Sequence, residues 1–120
     1  MVVQGTVLES KSFAFAVRVV DLSKYLYSMH KEYVLSKQIL RSGTAIGALI
    51  RESKYAQSRA DFLNKQMIAL KEANETDYWL ELLYSSQYIS KQMYHSIKPD
   101  IVEILKLLIS STKTIKHKQH

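Results

Sequence analysis

Glu72 and Glu75 are the residues whose type and spacing come nearest to catalytic chemistry. Three positions apart on a helix they are neighbours, so as a pair of carboxylates they could share acid/base work. The competing reading is that they form ion pairs with cations on an adjacent helix or subunit, Arg41 and Arg51 being the candidates. Other chemistries find little support. The chain has no cysteine, which removes disulfides, thiol nucleophiles and thiolate-held zinc or iron–sulfur sites. A di-iron carboxylate site in a helical bundle needs Glu-x-x-His pairs, and no glutamate here has a histidine three residues later. His30 falls in a connection, His95 stands alone, and His117 and His120 close the chain. No Gly-rich phosphate loop and no Ser/His/Asp context is visible. The expectation is a protein without enzymatic activity, metal or cofactor.

The remaining signal is basic. Lys37, Arg41 and Arg51 recur on one side of a predicted helix, and Lys54 and Arg59 follow at its end. Such a face contacts phosphates without reading bases, and no helix-turn-helix or RNA-recognition signature accompanies it. A plain solvated face is the alternative. The formal net charge is +6, from 17 Lys and Arg against 11 Asp and Glu. Three of those charges sit in the tail, at Lys113, Lys116 and Lys118. Eight tyrosines are expected to line helix edges, where packing is favoured over base stacking.

The elements that position these residues are helices. With 120 residues there is room for one domain, and three Gly and one Pro are too few turn formers for an all-β chain of that length. Ser10 or Ser12, the latter suited to an N-cap, opens a first helix over about 12–28, with Phe15, Val19, Leu22 and Leu26 on one stripe and Arg18, Asp21 and Lys24 on the wet side. A second helix covers about 32–56, with Leu35, Ile39, Ser42, Ile46 and Leu49/Ile50 on one side. Within it Gly43 and Gly47 make a small-residue strip that invites close packing against another helix or subunit. Ser58 with Asp61 approximates a capping box for a third helix over about 59–84, its core stripe running through Phe62, Ala69, Ala73, Thr76, Leu80 and Leu83. The fourth covers about 90–112, with Pro99 expected to kink or restart it. Residues 1–9 read as an extension and 113–120 as a frayed basic tail. Four such helices with short links make an antiparallel up-down-up-down four-helix bundle.

Charges recur too often for the roughly 18–20 apolar residues of a membrane crossing. The opening residues also lack a secretory signal's basic and apolar regions. The expectation is a cytoplasmic protein with no membrane partner.

The segment Gln38-Ile39-Leu40-Arg41-Ser42-Gly43-Thr44-Ala45-Ile46-Gly47-Ala48-Leu49-Ile50-Arg51-Glu52 resembles the signature of the bacterial "four helix bundle protein" family. That family was first noticed as proteins encoded by intervening sequences in 23S ribosomal RNA genes, and some members are labelled S23 ribosomal protein. Ser58–Phe62, Ala69–Leu80 and the opening Lys11–Arg18 resemble its other blocks, so the likeness covers about 10–112. The resemblance implies a bundle assembled as a homo-oligomeric ring, commonly a pentamer, with no known enzymatic activity. A relative, the accessory variability determinant of diversity-generating retroelements, binds nucleic acid and a reverse transcriptase, so RNA or DNA and a nucleic-acid-processing protein are the partners implied. By position, Arg41 and Arg51 match the family's basic residues and Glu72 and Glu75 its carboxylates. Leu49 departs from the pattern, where relatives carry Asn; it removes a buried amide and its demand for hydrogen bonds.

Overall fold

The computed structural model describes residues 2–118, and side chains from 7 to 116. Four helices follow one another: α1 (Val2–His30), α2 (Leu35–Ser53), α3 (Arg59–Ser85) and α4 (Lys91–Lys118). Each packs on the next and α4 returns to α1, giving an antiparallel bundle of 48 × 21 × 20 Å. No strand occurs among the described residues.

The core follows the apolar stripes. Phe15, Val19 and Leu26 from α1 meet Ile39, Ile46 and Ile50 from α2, Ala69, Ala73, Leu80 and Leu83 from α3, and Ile101, Ile104 and Leu108 from α4. Three polar links run through it. Thr76 Oγ1 donates to Ser42 Oγ at 2.9 Å, Ser111 Oγ to Gln66 Oε1 at 2.7 Å, and Gln66 Nε2 faces Ser53 Oγ at 3.5 Å. Every buried side-chain polar atom among the described residues has a partner, so these groups do not carry the penalty of unpaired burial. Periodicity found Ser42 and Thr76 but passed over Gln66, Ser53 and Ser111, because polarity hid them.

Helix ends differ from the expectation in four places. First, α1 begins at Val2 and takes in most of the supposed extension. Leu8 is buried and continues the Phe15 stripe through Ser12 at spacings of four and three. Ser12 is therefore not a cap: it is fully buried inside the helix, its Oγ donating back to the Glu9 carbonyl at 3.1 Å. Second, α2 is shorter, because Glu32 folds back and its Oε1 accepts the Ser36 N–H at 2.9 Å. Third, His30 ends α1 instead of lying in a connection; Lys31 then takes φ 51°, and the Glu32 N–H returns to the Leu26 carbonyl at 3.1 Å. Fourth, α4 runs on to Lys118, so the helix includes most of the expected tail; residues 119–120 lie outside the described residues. The start of α3 matches the reading, with Ser58 Oγ accepting the Asp61 N–H at 3.0 Å and Asp61 Oδ2 accepting from Gln57 N at 3.2 Å.

The glycine strip faces α1. A Cβ on Gly43 would sit 2.8 Å from both Val19 methyls, whereas one on Gly47 would meet nothing nearer than the Ser12 carbonyl at 3.4 Å. Two small residues thus let α1 and α2 approach closely.

Pro99 lies inside a continuous α4. It has no N–H for the His95 carbonyl, and Arg18 from α1 braces the weakened turn. Its guanidinium donates to the Ser96 carbonyl at 3.0 Å, Ser96 Oγ at 2.7 Å and Asp100 Oδ2 at 2.8 Å. Arg18, expected on the wet side, stays partly exposed and also bridges α1 and α4. Pro99→Ala should restore the missing bond and raise stability by about 1 kcal/mol, with the proline's entropic benefit partly offsetting the gain. A thermal melt that falls instead would show that the ring, braced by Arg18, is the better fit.

Candidate nucleic-acid interface

The five cations singled out from the sequence occupy three different settings. Lys37 is exposed near the start of α2 and takes part in no ion pair among the described residues. One turn on, Arg41 lies across α3: its Nη1 donates to Glu72 Oε1 at 3.2 Å and its Nη2 to Glu75 Oε2. Glu75 Oε2 also accepts from Trp79 Nε1 at 3.0 Å. Both carboxylates are thereby engaged in a helix–helix clamp, away from a cleft of about 460 Å³ between α1 and α4 and one of about 390 Å³ where α1 meets the link from α3 to α4. That geometry sets both carboxylates against one cation.

Arg51 reaches neither Glu72 nor Glu75. Its Nε lies 3.9 Å from Glu9 Oε2 while the guanidinium sits 5.9 Å from the centre of the Phe13 ring. Lys54, just past α2, shares the same carboxylate, with Nζ 3.1 Å from Glu9 Oε1. Arg59 opens α3, is exposed, and joins no ion pair among the described residues. At about 1.5 Å per residue, Lys37 and Arg51 are roughly 21 Å apart along α2. The basic face is thus not one patch: Arg51, Lys54 and Arg59 gather at one end of the bundle.

That end also receives α4. The Ser111–Gln66 bond sets the register, so Lys113 and Lys116, both exposed, fall at the end where α3 begins. Lys65 joins them, 3.5 Å from Glu52. Tyr55, in the link between α2 and α3, is 77% exposed, the most open of the large hydrophobic side chains described. Neither the meeting of tail and link nor the openness of Tyr55 is visible in the sequence, since both depend on the register of helices far apart in the chain.

Away from this end, Lys98 on α4 bonds Asp77 on α3 and lies 3.7 Å from Glu81. Burial pulls its ammonium pKa down, but the hydrogen bond and charge of Asp77, with Tyr94 adding, outweigh it and leave the pKa above the ordinary lysine value. A raised value in the folded state means that the pair's contribution is held in full at neutral pH and lost only as pH rises through the alkaline range. In Lys98→Met, urea midpoints measured from pH 8 to 11 should fall less steeply above about pH 10 than in the parent. Parallel curves would show that the pair adds nothing to stability.

Among the described residues no group of three His, Asp or Glu could hold a metal, and no helix is long and apolar enough to cross a membrane. Fold and surface together define an antiparallel four-helix-bundle protein with a cationic end. The chain belongs to the 23S rRNA-intervening sequence protein family, whose model matches residues 7–110. It is similar to a protein of unknown function from the S23 ribosomal protein family of Bacteroides thetaiotaomicron VPI-5482, solved by crystallography. The two are 61% identical, the match covers 92% of this chain and 98% of that one, and the TM-score is 0.89. No curated protein matches the chain.

Proposed function

We propose that this protein is a non-enzymatic bundle that binds RNA or DNA through phosphate contacts, acting as a homo-oligomer. A ring of five is the assembly implied by the family resemblance, and a nucleic-acid-processing protein is the further partner it suggests. The supporting observation is the end of the bundle where Arg51, Lys54, Arg59, Lys65, Lys113 and Lys116 outnumber Glu9, Glu52 and Asp61. Repetition of that end around an oligomer would build a shared cationic surface, and such surfaces bind polyanions with steep salt dependence and little sequence readout.

Arg41 is assigned to the Glu72/Glu75 clamp and Lys37 to solvent, so the test is placed elsewhere. Reversing Arg59 and Lys113 to Glu should weaken binding of a mixed RNA and DNA pool by at least about tenfold at low salt, because each lost phosphate contact removes released counterions. The helical circular-dichroism signal should stay intact, and light scattering on a sizing column gives the mass at the same time. Undiminished binding by the double variant would remove this end from the interface. A second reading, a protein-interaction scaffold, rests on the exposed Phe13 and Val17 of α1, 59% and 48% open. It predicts no shift with nucleic acid at any salt and a protein recovered through that face.

A further inference from the structure

We propose that the cationic end takes single-stranded polynucleotide in preference to duplex, with Tyr55 as the platform on which a base stacks. The inference rests on the phosphate-binding reading above and adds to it the class of ligand. Tyr55 does not do what a bundle tyrosine is expected to do. Tyr25, Tyr84, Tyr88 and Tyr94 all pack against the core, and Tyr84 and Tyr94 stack on each other at 4.5 Å. Tyr27, Tyr33 and Tyr78 are exposed too, but each contacts another ring; Tyr55 instead projects from the link at residues 54–58, and among the described residues no ring contacts it. Its backbone is nonetheless held: the Tyr55 N–H donates to the Glu52 carbonyl at 3.0 Å, and the next N–H, of Ala56, to Ser53 at 3.2 Å.

An exposed ring on a fixed turn costs little order when a ligand arrives, and it leaves apolar area in water until one does. Lys54 precedes it in the link, Arg59 follows where α3 begins, and Arg51 lies one turn earlier in α2. An aromatic face flanked by cations is the arrangement that holds unpaired bases while neighbouring phosphates are neutralised. A duplex offers the phosphates but keeps its base faces stacked inside, so it can use the cations and not the ring.

The experiment is fluorescence anisotropy of the full chain with labelled oligo-U, oligo-dT, an abasic strand of equal charge and a duplex, each of about 12 nucleotides or base pairs, at about 50 mM salt. The parent should bind both based single strands more tightly than the abasic strand and the duplex. Tyr55→Ala should lose about tenfold for the based strands, the effect of one stacked base, with little change for abasic strand or duplex. Tyr55→Phe should restore the affinity. Because the side chain is exposed, the variants should keep the parent's thermal midpoint. Equal loss for all four probes, or none, overturns stacking while leaving the cationic end in place. Binding of no probe by the parent overturns both readings. A change of mass in Tyr55→Ala without change of affinity would assign the ring to contact between copies of the chain and likewise overturn the proposal.

Discussion

Phe15→Ala should cost about 3–5 kcal/mol of stability, while Phe13→Ala, two residues earlier in the same helix, should cost less than about 1 kcal/mol. Two positions at 100° each put the two rings on nearly opposite sides of α1. Phe15 is 1% exposed among the aliphatic side chains of the core, so its removal forfeits the transfer energy and leaves a cavity that four packed helices close only in part. Phe13 is open to water and meets the Arg51 guanidinium at 5.9 Å, a contact worth about 0.5–1 kcal/mol at an exposed site. Urea unfolding of the two variants checks the contrast. Comparable losses would mean that the Phe13 side of α1 is covered, as it would be if another subunit packs there.

Gly43→Ala should destabilise the protein by about 1–3 kcal/mol, and Gly47→Ala, one helical turn on, should stabilise it by up to about 1 kcal/mol. Alanine improves the intrinsic propensity of the helix equally at both sites, so the difference isolates the contact with α1. At Gly43 the added methyl would meet both Val19 methyls at 2.8 Å and the Val19 Cβ at 3.2 Å. Rotation of χ1 cannot relieve a clash that includes the Cβ, and Val19 is fully buried, so the helices themselves must separate. At Gly47 the Ser12 carbonyl at 3.4 Å marks the edge of ordinary contact. Thermal midpoints decide the matter: if Gly47→Ala proves the worse variant, the closest approach of α1 and α2 lies nearer the cationic end than the geometry places it.

The same contrast shows how much could be read before any coordinates. A spacing of four between two glycines inside an amphipathic pattern signals close packing, because nothing else repays two glycines in a helix. Which of the two is under compression depends on the partner helix, and no local pattern encodes that. Likewise the carboxylates at 72 and 75 and the cation at 41 stand out as types and spacings. That Arg41 reaches both, and Arg51 neither, follows from the crossing and register of α2 on α3. The Pro99 turn carries the same lesson: a missing N–H is legible at residue 99, but the guanidinium that braces that turn of the continuous helix comes from residue 18.

Periodicity and composition by themselves determined the number of helices, their order, their buried stripes and the cap of α3, since each depends on residues within a few turns of one another. They misplaced the start of α1 and the end of α4 because a buried serine looks like a cap and a lysine-rich end looks frayed, until neighbouring helices cover one face of each. Only the tertiary structure decided which cations are neutralised and which remain open. It also brought the link after α2 and the end of α4, far apart in the chain, to one end of the bundle. Charge and exposure at a surface are sums over every element that reaches it, and such sums exist only once the helices are in register.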